Sequence, residues 1–126
     1  MDKVEAKLQE MGHCLPKPFA YPSPNRTGCI LTGNLLYLSG HPPPADFGVM
    51  VHGKVGSTVP EAEAVASAQA TALCMLSSAK HKLGSLERVS RVVKINGMVN
   101  SAPGFQRQFA VIDGASNLFY DLFGPE

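Results

Sequence analysis

The sequence TVPEAEAVASAQATALCMLSSAKHKLG, residues 58–84, carries the clearest structural signal in the chain. It opens with Thr58-Val59-Pro60-Glu61, which fits a capping box: the threonine hydroxyl accepts from the Glu61 amide and the glutamate side chain bonds back. We therefore expect an alanine-rich helix that runs to about Lys82 and closes at Gly84. Its small side chains favour close packing on a sheet. The apolar stripe is predicted at Ala62, Val65, Ala66, Ala72, Leu73, Leu76, Ala79 and Leu83.

Strands are predicted on both sides of this helix. Cys29-Ile30-Leu31 and a buried strand at residues 35–38 form a hairpin, connected by Thr32-Gly33-Asn34 because glycine and asparagine tolerate positive φ. A third strand is predicted at residues 49–55. Residues 89–99, rich in valine and isoleucine, form the strongest strand in the sequence. These segments supply the sheet on which the long helix packs.

Helices are also predicted at the two ends of the chain. Apolar residues at helical spacing predict a short amphipathic helix over residues 2–11. Four prolines in residues 15–24 predict an extended path that lies on another part of the chain. Residues 105–123 again have helical spacing, and Gly114 is interpreted as a break between two helical pieces. The order β-β-β-α-β-α predicts an α+β fold with helices on one face of a mixed sheet.

The composition is that of one ordinary globular domain. The chain has 126 residues, of which 44% are hydrophobic and 17% charged, so a packed core is expected. The formal net charge of +1 disfavours proteins that work on nucleic acid or on an acidic membrane. No apolar stretch approaches the roughly 20 residues that a membrane span needs. We expect a single domain over residues 1–126, with residues 1–24 as an N-terminal helix and proline-rich extension.

The N-terminal sequence and the cysteines predict a reducing compartment. Met1-Asp2-Lys3-Val4-Glu5 has no signal-peptide apolar region, which predicts a cytoplasmic protein, with an organellar matrix as the alternative. The three cysteines lack the spacing of a disulfide framework. No CxxC, HxxxH or HExxH spacing occurs among the cysteines and histidines, so no metal site is expected.

The basic residues do not predict a nucleic-acid surface. Arg88, Arg91 and Lys94 form the one basic cluster of the sequence. On a strand, Arg88 and Lys94 would share a face while Arg91 would point to the other, so a continuous track for phosphates is not expected. We interpret these side chains as solvated charges.

Several segments follow one another in an order and spacing that resemble the RidA family, also called YjgF or L-PSP, in its branch with an N-terminal extension. The resemblance covers roughly residues 15–124. The segments are GNLLYLSG at 33–40, the helix at 58–84, LERV at 86–89 leading into 92–100, SAPGF at 101–105, DGASNL at 113–118 and LFG at 122–124.

This resemblance implies a fold, an assembly and an activity. The family has a chorismate-mutase-like α+β fold, with a mixed sheet and two helices on one face, and it assembles as a homotrimer. Clefts between subunits bind small carboxylates or imino acids. The family's activity is hydrolysis of reactive enamines and imines to a 2-keto acid and ammonia, with no metal or organic cofactor. Other members carry the label of endoribonuclease or translation inhibitor.

The sequence departs from the family pattern at two places. The family arginine that grips the substrate carboxylate lies beyond the last helix, where the sequence has ended at Glu126, so the C-terminal strands are expected to be missing. No catalytic arginine is therefore assigned. The family tyrosine before the Ser-Gly strand falls on Arg26 without a gap, and Tyr21 matches it only across an insertion.

The resemblance suggests five residues for substrate binding, each with a structural alternative. Ser39 and Gly40 fall on a cleft wall of the family, or else simply end a strand and permit a turn. Asn100 either orients a ligand carboxylate or caps a turn, and Phe105 either faces the cleft or starts the core of a helix. Arg26 could grip a carboxylate, and an exposed loop arginine is the favoured alternative.

Three functions remain open on the sequence. The leading hypothesis is an imine or enamine deaminase scaffold with clefts between subunits. The second is a non-catalytic module that binds a small carboxylate, which the missing family arginine favours. The third is an L-PSP-type endoribonuclease, which the near-neutral charge and the lack of a paired set of histidines disfavour.

Overall fold

The structure is a computed structural model that describes residues 2–18, 21, 23–43 and 52–125. In these residues three α-helices accompany a two-stranded sheet, which confirms the α+β class. None of the helices is both long and apolar enough to span a bilayer over this part of the chain. The elements are α1 (Lys3–Glu10), β1 (Cys29–Thr32), β2 (Leu35–Leu38), α2 (Glu61–Leu83), a 3₁₀ turn (Leu86–Arg88) and α3 (Gln108–Phe123).

The chain divides into two compact units. The first consists of residues 1–42 and 73–90, and the second of residues 43–72 and 91–126. The largest buried side chains of the first unit are Leu8, Leu73 and Leu86. The core of the second unit contains Val55, Val59, Ala64 and Val111, with Ala68, Val99 and Phe105 packed against them. The single domain expected over residues 1–126 stays a prediction.

The predicted hairpin is present in the first unit. β1 and β2 pair antiparallel, from Cys29 opposite Leu38 to Thr32 opposite Leu35. Gly33 lies in the connection with φ +58°, a conformation that glycine adopts without steric cost. The turn residues of the sequence therefore predict this pairing correctly.

The two faces of the hairpin differ in burial. Cys29 on one face is 5% exposed. On the other face, Ile30 is paired with Tyr37, and these side chains are 55% and 61% exposed. Leu35, two residues before Tyr37 and so on the same face, is 46% exposed. The expectation of a buried strand at 35–38 is wrong, because Leu36 and Leu38 are only half-buried and the other face of this antiparallel hairpin is open to solvent.

The third predicted strand is described only in part. Residues 49–51 lie outside the described residues. Val55 forms isolated bridges to Val59 and Ser101, and its amide donates to the Asn100 carbonyl at 2.9 Å. These bridges belong to the second unit, where they help to bury Val55.

The long helix α2 starts later than the capping box predicts. The helix begins at Glu61, and the Pro60 carbonyl accepts the first helical hydrogen bond at 3.2 Å. Thr58 therefore cannot be the N-cap, and this prediction is wrong. The physical reason is that the Val59 amide donates to the Lys54 carbonyl at 3.2 Å, which holds Val59 in a turn before the helix.

The end of α2 and much of its buried side agree with the sequence prediction. The helix ends at Leu83, and Gly84 follows with φ +85° while its amide donates to the Lys80 carbonyl at 2.7 Å. This is the glycine stop that the sequence indicates. Of the predicted stripe, Ala72, Leu73, Leu76 and Ala79 are buried, whereas Ala62 and Ala66 are exposed.

Residues 89–99 do not form the predicted strand. No ladder hydrogen bonds involve them within the described part of the chain, and Val93 and Met98 are 72% and 98% exposed. Valine and isoleucine fit a strand only when a neighbouring strand pairs with them and covers a face. A 3₁₀ turn that the sequence did not predict, Leu86–Arg88, precedes this segment.

The C-terminal helix α3 is one continuous element, so the predicted break at Gly114 is wrong. Gly114 is buried, and a Cβ placed on it would overlap the carbonyl oxygen of Val65 in α2. Both residues lie in the second unit. The glycine is therefore required by the close approach of two helices and not by a turn.

Candidate functional site

A small cleft in the first unit is lined by several polar residues. Two of them, Tyr21 and Arg26, are the residues that align, with or without an insertion, with the family tyrosine. Its volume is about 270 Å³, which suits a small molecule. Its walls are formed by the chain before β1 and by the last two turns of α2. The lining residues are Pro18, Tyr21, Arg26, Thr27, Gly28, Cys29, Ser78, His81 and Lys82.

The cleft carries cationic side chains. Arg26 and Lys82 line it together with His81, and all three are exposed. None of the described residues that line it is acidic. A turn positions Arg26, whose amide donates to the Ser23 carbonyl at 3.2 Å. This charge pattern favours an anionic ligand such as a carboxylate.

Neutral hydroxyl groups lie at the edge of the cleft. The Tyr21 hydroxyl lies 3.2 Å from the Ser39 hydroxyl. Ser39 follows β2, and both its amide and its hydroxyl donate to the Gly28 carbonyl, at 3.0 and 3.3 Å. These bonds hold the end of the hairpin and place two hydroxyl groups beside a cationic cleft.

His41 connects the chain after β2 to helix α2. Its Nδ1 lies 2.7 Å from the Ser39 carbonyl oxygen, and its Nε2 lies 2.8 Å from the Ser78 hydroxyl. Ser78 is buried, with 7% of its surface exposed, and it lines the cleft. The imidazole is therefore fixed at both nitrogens.

Cys29 is a buried residue that lines the cleft. Its thiol donates to the Ser78 carbonyl at 3.5 Å. Burial raises the pKa of the Cys29 thiol above its ordinary value of 9.0, although the nearby charge of Lys82 acts in the opposite direction. A raised pKa disfavours the thiolate form, so it gives no support for Cys29 as a nucleophile.

A second cleft, of about 540 Å³, lies beside the N-terminal extension. Glu5 of α1 forms an ion pair with Lys80 at its wall, and the Ser77 hydroxyl donates to the Pro16 carbonyl at 2.6 Å. This bond places Pro16, in the proline-rich extension, against α2; the path predicted for the rest of the extension stays a prediction. None of the five substrate-binding residues expected from the sequence lines this larger cleft.

The five expected residues fall into both units. Arg26 lines the smaller cleft. Ser39 lies at the edge of this cleft, where its hydroxyl contacts the hydroxyl of the lining residue Tyr21. Gly40 follows Ser39 and is exposed, with open space around its α-carbon. In the second unit, the Asn100 side-chain amide donates to the Gly53 carbonyl at 2.9 Å, and Phe105 packs against the core and beside Gly56.

Sequence reasoning missed Ser78, Lys82 and the contact of His41. Ser78 and Lys82 are four residues apart on α2, and this spacing indicates a shared helix face. The His41 contact spans 37 residues, and no local pattern indicates it. Over the described residues, no group of three histidine, cysteine or acidic side chains could hold a metal ion.

Comparison with known proteins gives one clear sequence relative. No family model matches the sequence. The chain is 40% identical over 124 residues to Protein TCP17 of Trypanosoma cruzi, an alignment that covers 98% of this chain and 77% of that protein.

The solved structures with a similar fold include the following two. The protein Atu1372 of Agrobacterium tumefaciens, whose function is unknown, has a TM-score of 0.86 and 38% identity, and the match covers 97% of this chain and 74% of that one. A candidate endoribonuclease from Shewanella oneidensis MR-1 has a TM-score of 0.89 at 24% identity, over 98% of this chain and 81% of that one. The second likeness shows the fold alone.

Proposed function

Since the chain belongs to the family of Protein TCP17 and has a fold of the L-PSP/YjgF type, we propose that it is a RidA-like deaminase. It hydrolyses reactive 2-imino and enamine acids to 2-keto acids and ammonia. The observation that carries this proposal is the small cleft with Arg26 and Lys82 on its walls and no acidic residue among its described lining.

The size and charge of the cleft support the proposed substrate class. A volume of about 270 Å³ suits a substrate of a few carbon atoms. Arg26 presents a planar guanidinium that binds a carboxylate through two parallel hydrogen bonds, and Lys82 adds a second positive charge. In this proposal these two side chains bind the substrate carboxylate, and Gly40 of the same unit remains a candidate for a further contact. The binding roles expected of Asn100 and Phe105 stay predictions.

The hydroxyl groups of Tyr21 and Ser39 position the attacking water. Their oxygens are 3.2 Å apart, so one water can hydrogen-bond to both at the edge of the cleft. Water adds to the carbon of the C=N bond, and the nitrogen takes a proton, which gives a carbinolamine. The C–N bond then breaks, ammonia leaves and the 2-keto acid remains. An enamine first takes a proton on its β-carbon to become the imine.

The proposal includes an assembly and a location. A homotrimer and a reaction without a metal or organic cofactor are expected from the family resemblance. A cytoplasmic location is expected from the three cysteines, which lack the spacing of a disulfide framework. The exposed apolar face of the hairpin, formed by Ile30, Leu35 and Tyr37, supports association with further copies of the chain.

Two alternatives make different predictions. A non-catalytic module would bind the same carboxylate in the same cleft without accelerating hydrolysis. An endoribonuclease is suggested by the description of the Shewanella oneidensis protein, which shares the fold. The net charge of +1 does not favour it, because nucleic-acid binding relies on many contacts between cations and phosphates.

The direct test is hydrolysis of 2-iminobutanoate, generated in place by a threonine dehydratase. We expect the chain to accelerate release of the keto acid, and Arg26→Ala to lower kcat/KM by about 10- to 100-fold, since a charge-assisted contact contributes about 1.5–3 kcal/mol. Arg91→Ala, which removes an exposed cation outside the cleft, is the matched control and should leave the rate unchanged.

Two other results would support the alternative functions. Carboxylate binding at the cleft without acceleration would establish the binding module and refute the deaminase. Cleavage of single-stranded RNA that is lost in Arg26→Ala would establish the ribonuclease instead.

A further inference from the structure

His41 and Ser78 are arranged as a base and a nucleophile. The Ser39 carbonyl oxygen can only accept, so the proton of a neutral His41 ring lies on Nδ1, 2.7 Å away. Nε2 then carries a lone pair, and the Ser78 hydroxyl 2.8 Å from it is the donor. A hydroxyl that donates to an imidazole whose other nitrogen is fixed by an acceptor has the geometry of an activated serine.

Gly28 lies beside the Ser78 hydroxyl at the cleft. Ser78 is among the residues that line the cleft. A Cβ at Gly28 would lie 3.3 Å from the Ser78 oxygen and 3.5 Å from the Tyr21 ring. The backbone of Gly28 does not have the positive φ that would itself demand glycine. What glycine contributes at this position is space next to the hydroxyl.

Two cationic side chains line the same cleft as Ser78. Lys82 lies four residues after Ser78 on α2, so the two side chains share a helix face, and both line the cleft. Arg26 lines the same cleft. Attack by serine on a carbonyl creates an oxyanion, which positive groups in a partly enclosed site stabilise.

We propose that Ser78 is a nucleophile, with His41 as its base, for the hydrolysis of small carboxylic esters that bear a negative charge. The Ser78 oxygen attacks the ester carbonyl while its proton moves to His41 Nε2. The bond to the leaving alcohol breaks, and His41 returns the proton to that alcohol. Water, deprotonated by His41, then releases the carboxylic acid and restores the serine. This activity does not depend on imine hydrolysis at the same cleft, because imine hydrolysis uses neither residue.

The neighbouring serine is a matched control. Ser77 is buried like Ser78, but its hydroxyl donates to the Pro16 carbonyl at 2.6 Å. A carbonyl oxygen cannot remove a proton, so Ser77 is not activated. The two residues thus differ in the partner of the hydroxyl while they share a helix and a low exposure.

The experiment treats the full chain with a fluorophosphonate probe, which modifies activated serines, and locates the adduct by peptide mass spectrometry. We expect one adduct per chain, on Ser78. Labelling should persist in Ser77→Ala and disappear in Ser78→Ala and in His41→Gln. Hydrolysis of 4-nitrophenyl hemisuccinate should fall by at least about 100-fold in both of the latter variants, the size of a general-base contribution.

The unmodified chain alone can overturn the proposal, whatever the stability of the variants. No adduct on Ser78, or an adduct on Ser77 instead, would refute it. Equal labelling of Ser78 in wild type and His41→Gln would also refute it, because the imidazole would then not activate the hydroxyl. Loss of imine hydrolysis in Arg26→Ala tests the deaminase separately.

Discussion

Gly114 shows how one missing side chain determines the distance between two helices. Its hydrogen atom faces the Val65 carbonyl, where a Cβ would overlap the oxygen. Because the neighbour is backbone, it cannot rotate away as a flexible side chain can. The local sequence predicts a break at this position because glycine is a poor helix former. The contact with Val65, which explains the glycine, is distant in sequence and has no local signal.

We predict that Gly114→Ala destabilises the protein by about 1–3 kcal/mol, the usual cost of overpacking, despite the gain in helix propensity. Urea unfolding at neutral pH measures it. Gly40→Ala is the control, because a Cβ there meets open space, and its stability should stay within about 0.5 kcal/mol of wild type. An unchanged midpoint for Gly114→Ala would contradict the close approach of the two helices.

The candidate site could be predicted from sequence only in part, because its residues meet through contacts between distant parts of the chain. Arg26 and Ser39 could be named only through the resemblance to the RidA family. The hydroxyl pair of Tyr21 and Ser39 spans 18 residues, and the bond from His41 to Ser78 spans 37. Such contacts depend on how helix α2 lies on the chain around the hairpin, which no local spacing encodes.

At the scale of an element, α1 is held by one carboxylate. Oδ1 of Asp2 accepts from the Glu5 amide at 2.7 Å and so caps the helix. Oδ2 accepts from the Ser85 hydroxyl at 2.9 Å and from the Leu86 amide at 2.8 Å. One carboxylate thus accepts hydrogen bonds from backbone amides at the start of α1 and at the start of the 3₁₀ turn. Helix α1 packs against this turn.

These contacts determine the charge state of Asp2. Burial by itself raises the pKa of the Asp2 carboxyl, but the bonds from Glu5, Leu86 and Ser85, with the charge of Lys80, outweigh it and lower the pKa below 3.8. A lowered pKa in the folded state means that the stabilisation is complete above the unfolded pKa. It is lost as the pH falls through the folded pKa.

We predict that Asp2→Asn lowers the free energy of unfolding at pH 7 by about 1–2 kcal/mol, within the range of a lost charged hydrogen bond. The asparagine side chain has only one acceptor oxygen. If this oxygen accepts from the Glu5 amide, the NH₂ group faces the Leu86 amide and cannot accept its hydrogen bond. The difference from wild type should shrink at pH values below the ordinary aspartate pKa, where Asp2 becomes protonated. Urea unfolding at pH 7 and at acidic pH measures this, and a difference that grows on acidification would contradict it.

The elements could be predicted from sequence where local chemistry determines them. The turn at Gly33 and the stop at Gly84 are correct because a glycine conformation fixes each of them. The strand at 89–99 is wrong because strand formation needs a partner, and the described residues give it none. Thr58 is wrong as N-cap because Val59 takes part in a turn with Lys54.

At the scale of the whole molecule, apolar surface remains exposed on the hairpin. Ile30, Leu35 and Tyr37 share one face of the two strands, and each is about half exposed. Three adjacent apolar side chains on an exposed sheet face favour association. The exposed face therefore supports the homotrimer that we propose.

We predict that the chain sediments as a trimer at micromolar concentration and that the double variant Leu35→Lys with Tyr37→Lys shifts it towards monomer. Sedimentation velocity over a concentration series measures this. Glu10→Lys, which changes an exposed charge outside the hairpin, is the control and should leave the assembly unchanged. A stable monomer for the unmodified chain would contradict the proposed assembly.

The central claim is that the cleft lined by Arg26 and Lys82 binds a small 2-keto or 2-imino carboxylate. The most direct measurement is a titration of the isotope-labelled chain with 2-ketobutanoate, followed by amide NMR shifts. We predict saturable shifts at Gly28, Cys29 and Ser78, which line the cleft, and their loss in Arg26→Ala. Shifts confined to the larger cleft at α1, or no saturable shift at all, would contradict the claim.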